Sequence, residues 1–457
     1  MKTRKISKVW LWPALLAACC MATTLFAQTR TLRIVTYNIE DDINGATTPL
    51  PGLIAPPNNT NNVQAGGVLE GVGEEIVGND PAQPLDILAL EETTSNPLTI
   101  APIVSGLNSF YGVTGMYSNS TYQATESGGD VADGNGPNAI VYNTKTVQLL
   151  ASVPVDPSGG PNKLGSSSGE YREVMRYQFA PAGMTPTATS EFYIYVSHYK
   201  SGTSSSDLTA RNGEAQIIRT NEAIDLPANA RVLYVGDFNI TTSGEASYQT
   251  ILSNTTPNGI QQGQGIDPLN PSAATSFDWS ANSNLSMKTD SSTSLHYRDD
   301  LQVMTTNIYF GVAGGLALVP GTYHVFGNNG TTAYKGSVNS GSNTALNSDL
   351  ASGAPISASQ LYLDLANASD HLPVVADYTI PITVPVPVFQ SVTGTGGTVT
   401  FTWSAMASAV YQLQYCTNLA QGNWSNWGSA ITATNAVMSA SDSIGPDPQR
   451  FYRLLVP

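Results

Sequence analysis

Arg231-Val-Leu-Tyr-Val-Gly-Asp-Phe-Asn-Ile240 is the stretch on which the fold of this chain turns. Its first half is a short apolar run rich in β-branched and aromatic side chains, which predicts a strand buried on both faces. Gly236-Asp-Phe-Asn239 then closes the run with an acid and a carboxamide, where a core strand must turn. The same design recurs elsewhere in the chain. Asn38 ends the Leu32–Ile39 run, ahead of Glu40, Asp41 and Asp42. Glu91-Glu92 close Asp86-Ile-Leu-Ala-Leu, and His198 closes Phe192-Tyr-Ile-Tyr-Val-Ser, with Lys200 and Ser201 next. Asp370-His371 open Leu372-Pro-Val-Val. In a layered α/β protein, strand ends on one sheet edge converge on a common crevice.

What would gather there is an inventory for phosphate chemistry. Carboxylates and carboxamides are hard oxygen donors suited to Mg²⁺ or Ca²⁺. Two histidines supply proton transfer and charge stabilisation near neutral pH. A cation that holds the phosphate and an activated water that attacks it complete a hydrolysis of phosphate esters. Singly, each cluster also has a plain reading. An acidic pair after a strand can be a solvated turn, Asn38 can bond its own backbone, and Gly236–Asn239 can be an ordinary turn. His296 and His324 are read as structural or surface residues. It is the joint order of the clusters that points to chemistry.

Around these clusters, strands are expected at 32–39, 86–92, 138–143, 172–180, 191–199, 231–240, 298–304 and 372–380. Asp207 to Ile224 reads as a helix with Asp207 as N-cap and Leu208, Ala215, Ile218 and Ile224 as its apolar face. A second helix is expected near Val68–Val77. Long loops rich in Gly, Asn and Ser are expected at 44–62, 125–137, 157–169 and 327–358. Pro381–Pro387 reads as a stiff extended linker. The tail beyond it, 388–457, alternates in the strand period and holds Trp403, Trp424 and Trp427, which suits a small fibronectin-like β-sandwich. Its aromatics are read first as core, and alternatively as a platform for a polysaccharide or other cell-surface partner.

The chain has 457 residues, which favours two domains, and only 12% of them are charged. With 34 acidic against 19 basic residues its formal charge is −15, against a protein that coats nucleic acid or docks on anionic membrane. Lys2, Arg4, Lys5 and Lys8 lie before an apolar run, Val9 to Ala18, and small residues follow up to Ala27. This reads as a secretory signal peptide over 1–27, cut after Ala27. A lipoprotein-type cut before Cys19 is the alternative. After either cut the expectation is a secreted, periplasmic or surface protein. Cut after Ala27, the chain would keep only Cys416, with no partner for an intrachain disulfide.

Thr36-Tyr-Asn-Ile39, Asp86-Ile-Leu-Ala-Leu-Glu-Glu92, His198-Tyr-Lys-Ser201, Gly236-Asp-Phe-Asn239, Arg298-Asp-Asp-Leu301 and Ser369-Asp-His-Leu-Pro373 occur in that order. Over residues 31–380 the chain thereby resembles the endonuclease/exonuclease/phosphatase superfamily, in its secreted bacterial, pancreatic-deoxyribonuclease-like form. The resemblance implies a four-layer α/β/β/α sandwich of two mixed β-sheets over 28–380, with the small all-β domain as an addition. It implies Glu92 as principal metal ligand, with Asn38, Glu40 and Asp370 around the cation, Mg²⁺ first and Mn²⁺ or Ca²⁺ as substitutes. It implies Asp237 orienting the attacking water, Asn239 on the phosphate, and His371 as general base or charge stabiliser oriented by Asp300. His198 is implied as a second charge-stabilising histidine, and Arg172 and Lys200 as substrate contacts. Only the resemblance, not the sequence itself, chooses Asp300 over Asp299.

The expected activity is divalent-metal-dependent phosphodiester hydrolysis, with a nuclease acting on extracellular DNA or RNA in front. A sphingomyelinase-type lipid phosphodiesterase, a phosphomonoesterase and a non-catalytic adhesion protein on the same scaffold are the rivals. The lipid reading needs an exposed aromatic hairpin at the crevice rim, and none is identified in the sequence. The acidity of the chain then takes a narrower meaning. Several carboxylates belong to the proposed metal site, so nucleic acid should bind weakly and only through the cation.

Overall fold

The computed structural model describes residues 26–40, 65–77, 81–93, 99–120, 137–155, 171–172 and 174–457, apart from 280, 282, 396, 444, 446 and 448. The leader up to residue 25, Asp41, Asp42, Glu173 and the loops expected at 44–62 and 157–169 lie outside the described residues, as does nearly all of that at 125–137.

Two mixed sheets form the body. In spatial order the first comprises Ala317–Leu318, Val374–Val384, Phe26–Asn38, Ile87–Glu91, Ala139–Asn143 and Tyr117–Asn119, with His324–Val325 also paired to Val374–Val384. The second runs Val147–Val155, Val174–Pro181, Phe192–His198, Val232–Asp237, Asp300–Thr305 and Gly265–Ile266. Each contains one parallel pair, Phe26–Asn38 with Ile87–Glu91 and Phe192–His198 with Val232–Asp237. All eight expected strands form, though with shifted ends.

Strand parity builds the layers. Ile34, Ile87, Ala89 and Val374 face Ile194, Val196, Leu233 and Val235 in a core between the sheets. Their neighbours Val35, Tyr37, Leu88 and Leu90 point the other way and pack under the helices Ala65–Glu74, Ala101–Phe110 and Ala358–Ala368. On the second sheet, Tyr193, Tyr195 and Tyr234 pack under Ser205–Asp225 and Ala246–Leu252. Three stacked cores thus separate four layers, the expected α/β/β/α sandwich. The long stretch expected as loop at 327–358 is turn-rich but not detached. Val338, Leu346 and Ile356 are buried in the outer core of the first sheet.

The expectations for the Asp207–Ile224 helix need two corrections. The N-cap is Ser204, and Asp207 is its partner in a capping box. Ser204 Oγ accepts from Asp207 N at 3.2 Å, and Asp207 Oδ2 accepts from Ser204 N at 2.9 Å. Of the expected apolar face, Ala215 and Ile218 are buried, whereas Leu208 and Ile224 are exposed. The buried face instead carries Arg211, Glu214, Arg219 and Glu222, each satisfied by a fixed partner: Arg211 pairs with Glu245, and Glu222 accepts from Tyr234 Oη at 2.7 Å. Helical spacing shows which residues share a face, but only the partners decide which face goes inward.

A second buried pair ties two neighbouring inner strands of the first sheet together, where Arg33 and Asp377 are directly paired. Arg33 donates to both carboxylate oxygens of Asp377 at 2.9 Å, and its Nη1 donates to the carbonyls of Val72 and Glu75. Both side chains are fully buried. Asp377→Ala would strand the guanidinium in the core and is expected to lower unfolding free energy by about 3–5 kcal/mol. Urea melts of the variant and of an Arg33→Met/Asp377→Leu double variant, expected nearer wild type, check it.

On the strand next to Asp377, His324 donates or accepts at Nε2 with both Glu75 oxygens (2.9 and 3.0 Å), and Nδ1 faces the Thr322 carbonyl. With acceptors at both nitrogens, the imidazolium is the form that is satisfied. Burial lowers its pKa, but the Glu75 charge and hydrogen bonds outweigh that and raise it above 6.5. A raised folded pKa means stability that is fully present below 6.5 and lost as pH climbs through the folded value. The melting-temperature gap between wild type and His324→Gln should therefore be wide at about pH 6 and shrink as pH rises through the folded value.

The tail is joined to the body by more than its connection. Pro381–Val384 are the last residues of the Val374–Val384 strand and pair with Phe26–Thr29, so 385–387 alone lie outside a strand. Ile382 and Val384 share a core with Phe401, Trp403, Tyr411 and Leu413 of the tail. Gln28 exchanges two 3.0 Å hydrogen bonds with Val410, and Arg30 Nη2 donates to the Ala407 carbonyl at 2.7 Å. The tail itself is two small antiparallel sheets. Trp403 is fully buried, Trp427 is half-buried against that core, and Trp424 lies under the Arg453 guanidinium at 4.4 Å. Cys416 is buried and unpaired.

Candidate active site

The two parallel pairs end on the same side of the sandwich, and register fixes what meets there. His198 is paired with Asp237 and Asp237 with Asp300, so three site residues sit in one row across the second sheet. On the first sheet Asn38 is paired with Glu91. Because paired residues share a face, the parity that sends Val196, Val235 and Ile34 between the sheets also sends His198, Asp237 and Asn38 there. The two sheets close on one another at this polar edge.

The contacts follow from that closure. Asn38 Nδ2 lies 3.1 Å from both Glu92 Oε1 and Asp237 Oδ2, bridging the sheets. His198 Nε2 lies 3.5 Å from Glu92 Oε1 and 3.4 Å from Asp237 Oδ2. His371 Nδ1 bonds Asp300 Oδ2 at 2.7 Å, which leaves Nε2 facing Asp237 Oδ2 at 3.8 Å and Asp370 Oδ1 at 3.6 Å. Asp300, not Asp299, is thus the partner of His371. Ser369 explains why its motif is stitched to the first strand: its hydroxyl donates to the Asn38 carbonyl and accepts from His371 N. Asp370 N donates to Glu40 Oε2 at 2.9 Å.

Three of these residues, Glu40, Glu92 and Asn239, have left-handed backbone, at φ 51°, 54° and 50°. Each lies just past a strand end, where a non-glycine residue takes this conformation only when its surroundings hold it. At Glu92 the consequence is direct. Strict alternation would send it away from Glu91, but the turn brings its carboxylate back to Asn38 and His198. Glu91 itself is wholly buried, with Oε1 accepting from Thr36 Oγ1 at 3.1 Å.

Burial is the first cause of the electrostatics here. It pushes the Glu92 carboxyl up to about 7 and that of Asp237 up to about 6, against the opposing pull of His371. Glu40 and Asp290 are each raised to about 7, again by burial first. Burial disfavours the His371 cation, but Asp300 and Asp237 override it and hold its pKa well above 6.5.

Glu92, His198 and Asp237 offer ligand atoms that all lie within 4.8 Å of one another, and Asp290, Asp370 and His371 form a second such group. Crowded, half-dehydrated carboxylates with one imidazole suit a hard divalent cation, which would relieve the cost of ionising them. The donor set fits the cation that the sequence resemblance implies.

Of the remaining expected residues, Asn239 Nδ2 and Arg172 Nη1 both donate to the Tyr199 carbonyl, at 3.1 and 2.9 Å. Lys200 N and Arg172 N donate to the Glu214 carboxylate, at 3.0 and 2.8 Å. Arg172, Lys200 and Asn239 therefore lie together on the wall that follows His198, with the buried Glu214 as its anchor. Sequence reasoning missed Glu214 as an anchor and Asp290 as a crevice carboxylate. Glu214 was signalled by charged residues spaced as one helix face. Asp290 precedes no strand and left no local signal.

No protein-family model matches this chain, and no curated protein matches it. Solved structures similar to it include the human nocturnin catalytic domain with bound sulfate, at 15% identity and a TM-score of 0.41, covering 78% of this chain and 97% of that one. An endonuclease/exonuclease/phosphatase family protein from Bacteroides thetaiotaomicron is similar at 13% identity and a TM-score of 0.40, covering 78% and 97%. A mannosyl-6-phosphatase from the same species is similar at 13% identity and a TM-score of 0.36, covering 76% and 99%. At such identities and scores no substrate or activity transfers from them.

Proposed function

We propose that this chain, built as the four-layer sandwich implied by its resemblance to the endonuclease/exonuclease/phosphatase superfamily, is a divalent-metal-dependent phosphoric ester hydrolase, and specifically a phosphodiesterase acting as a nuclease. The observation that carries the proposal is the meeting of Glu92, His198 and Asp237 beside the His371–Asp300 pair, with Asn38 bridging the two sheets.

Glu92 and Asp237, bridged by Asn38, would hold the cation, and a bound dication neutralises phosphate charge and acidifies water. The chain's own residues supply the rest. Asp237 is fixed by Asn38 Nδ2 and by Asn239 N at 2.9 Å, so its carboxylate is placed to accept a hydrogen bond from the attacking water. His371, with Nδ1 held by Asp300, presents Nε2 beside Asp237 and keeps a proton against the phosphoryl oxygens as their charge grows. His198 Nε2 stands on the opposite side of Asp237, where it steadies the leaving oxygen. Asn239 and Arg172 brace the Tyr199 carbonyl and thereby the loop that carries Lys200 toward the substrate.

The N-terminal pattern supports export. Gln28, the first residue after the proposed cut, is engaged with Val410, so cleavage there would remove the Phe26 and Ala27 pairings of the first strand but keep this contact with the tail.

The test is purified protein with Mg²⁺, Mn²⁺ or Ca²⁺, offered plasmid DNA, RNA, sphingomyelin and a phosphomonoester in parallel. Degraded or nicked nucleic acid is the expected result, with turnover abolished by chelation. DNA affinity, read by filter binding, should fall to near nil once the metal is removed. Cleavage of sphingomyelin alone would transfer the site to lipid chemistry. Inertness toward all four, with no metal bound, would favour a non-catalytic scaffold.

A further inference from the structure

We propose that Tyr297, in tilted ring contact with His296 and neighboured by the Tyr334-Lys335 turn, forms a base-binding subsite at the crevice rim, so that the ester cleaved belongs to a nucleotide. The proposal rests on the phosphoesterase reading above and goes further, because it assigns a base-binding subsite to residues outside the catalytic group.

Register places Tyr297. Asp290 is bridged to Tyr297 on one side and to His371 on the other. Directly paired residues share a face. The Asp290 carboxylate lies within 4.8 Å of a His371 ring nitrogen, so that face looks into the crevice. Tyr297 is therefore on the crevice face, two strand spacings, or about 10 Å, from His371.

The turn 290–297, closed by hydrogen bonds between Asp290 and Tyr297, is held firmly on both flanks. Toward the site, Ser292 N donates to the Asp370 carbonyl at 2.6 Å and Leu372 N to the Thr289 carbonyl at 2.8 Å. On the far side, Leu295 N donates to the Gly336 carbonyl at 3.0 Å and Lys335 N to that of Leu295 at 2.9 Å. The second turn thus sits beside the first.

The chemistry of the rim is that of a stacking surface with a cation. His296 and Tyr297 have ring centroids 3.8 Å apart with their planes tilted by 46°, and both residues are half-buried, so each ring keeps an accessible face. The exposed Lys335 holds its ammonium 5.6 Å from the Tyr334 ring. Lys288, on the same ring at 5.7 Å, is buried and donates to the Trp279 carbonyl, so its part is structural. Planar bases stack on such rings in a sequence-tolerant way, and an ammonium one turn away suits the next phosphate.

The experiment uses the full chain with its divalent cation and short single-stranded oligonucleotides, either with all bases or with an abasic residue beside the scissile phosphate. Wild type, Tyr297→Ala and Tyr297→Phe are compared by kcat/KM. Binding is read separately by fluorescence anisotropy of the same labelled oligonucleotides on the His371→Ala background. Wild type should favour the base-bearing strand about tenfold or more, Tyr297→Ala should lose that preference, and Tyr297→Phe should keep it. The abasic strand should be handled alike by all three, which a folding defect would not allow. Equal handling of both strands by wild type, or a preference that survives Tyr297→Ala, overturns the subsite. Absence of turnover with a persistent Tyr297-dependent binding preference would sink the catalytic reading and leave the subsite standing. Absence of both removes the subsite as well.

Discussion

Replacing His371 by alanine is expected to lower kcat/KM for phosphodiester hydrolysis by about a thousandfold, the range seen when a positioned acid–base or charge-stabilising group is removed. The expectation follows from where the ring is held. Its Nδ1 is taken by Asp300 at 2.7 Å, its backbone N by Ser369, and its Nε2 is left beside Asp237 in the crevice. The residue is 7% exposed, so it is neither a free surface histidine nor sealed from substrate. Asp300→Asn keeps the shape but removes the charge that fixes the imidazolium, and should cost activity by a smaller factor, about ten- to a hundredfold. Steady-state kinetics on a soluble phosphodiester, with melting temperatures to verify folding, decide the matter. A His371→Ala chain that stays within threefold of wild type (about 0.6 kcal/mol) would show that this histidine has no part in the reaction.

Gly236→Ala carries the largest expected cost to stability. Gly236 has φ 130°, and a Cβ there would lie 1.9 Å from the carbonyl oxygen of Ser197 and 3.0 Å from Glu91 Oε1. The obstacle is backbone of the neighbouring parallel strand, which cannot yield without breaking the His198–Asp237 register. A strained φ and a backbone clash together should lower unfolding free energy by about 4 kcal/mol or more, among the largest effects of single substitutions. The folded remainder should also lose activity, because the strand pair that must spread is the one that brings His198 to Asp237. Gly259→Ala provides the control. It too has positive φ, at 83°, but nothing lies within 4 Å of the added carbon, so the cost should stay at about 1–2 kcal/mol. Urea denaturation of the two variants separates steric clash from backbone strain, and equal losses would contradict this account of Gly236.

The sequence by itself determined the strands and the chemistry they carry. Short apolar runs rich in β-branched and aromatic side chains and closed by turn residues, such as Val232–Val235, read as buried strands, and the polar residues that close them, His198, Asp237 and Asn38, emerge at the strand ends. Motif order then assigned these residues to one crevice, and their side chains meet within hydrogen-bonding or ion-pair distance. Local pattern could not decide between adjacent acids. Asp300 rather than Asp299 reaches His371 because Asp300 shares the inter-sheet face with Asp237, its partner in register. Glu92 joins Asn38 only because a left-handed turn reverses the alternation that would have sent it outward. Equally, the inward face of the Ser205–Asp225 helix is charged because Glu245 and Tyr234, far away in sequence, supply the partners. Asp290 is placed by its pairing with His371, across a sequence separation that no periodicity reports, and Tyr297 by its pairing with Asp290. Periodicity is a property of one segment, whereas register, turn conformation and charge satisfaction belong to pairs of segments, and only tertiary structure settles those pairs.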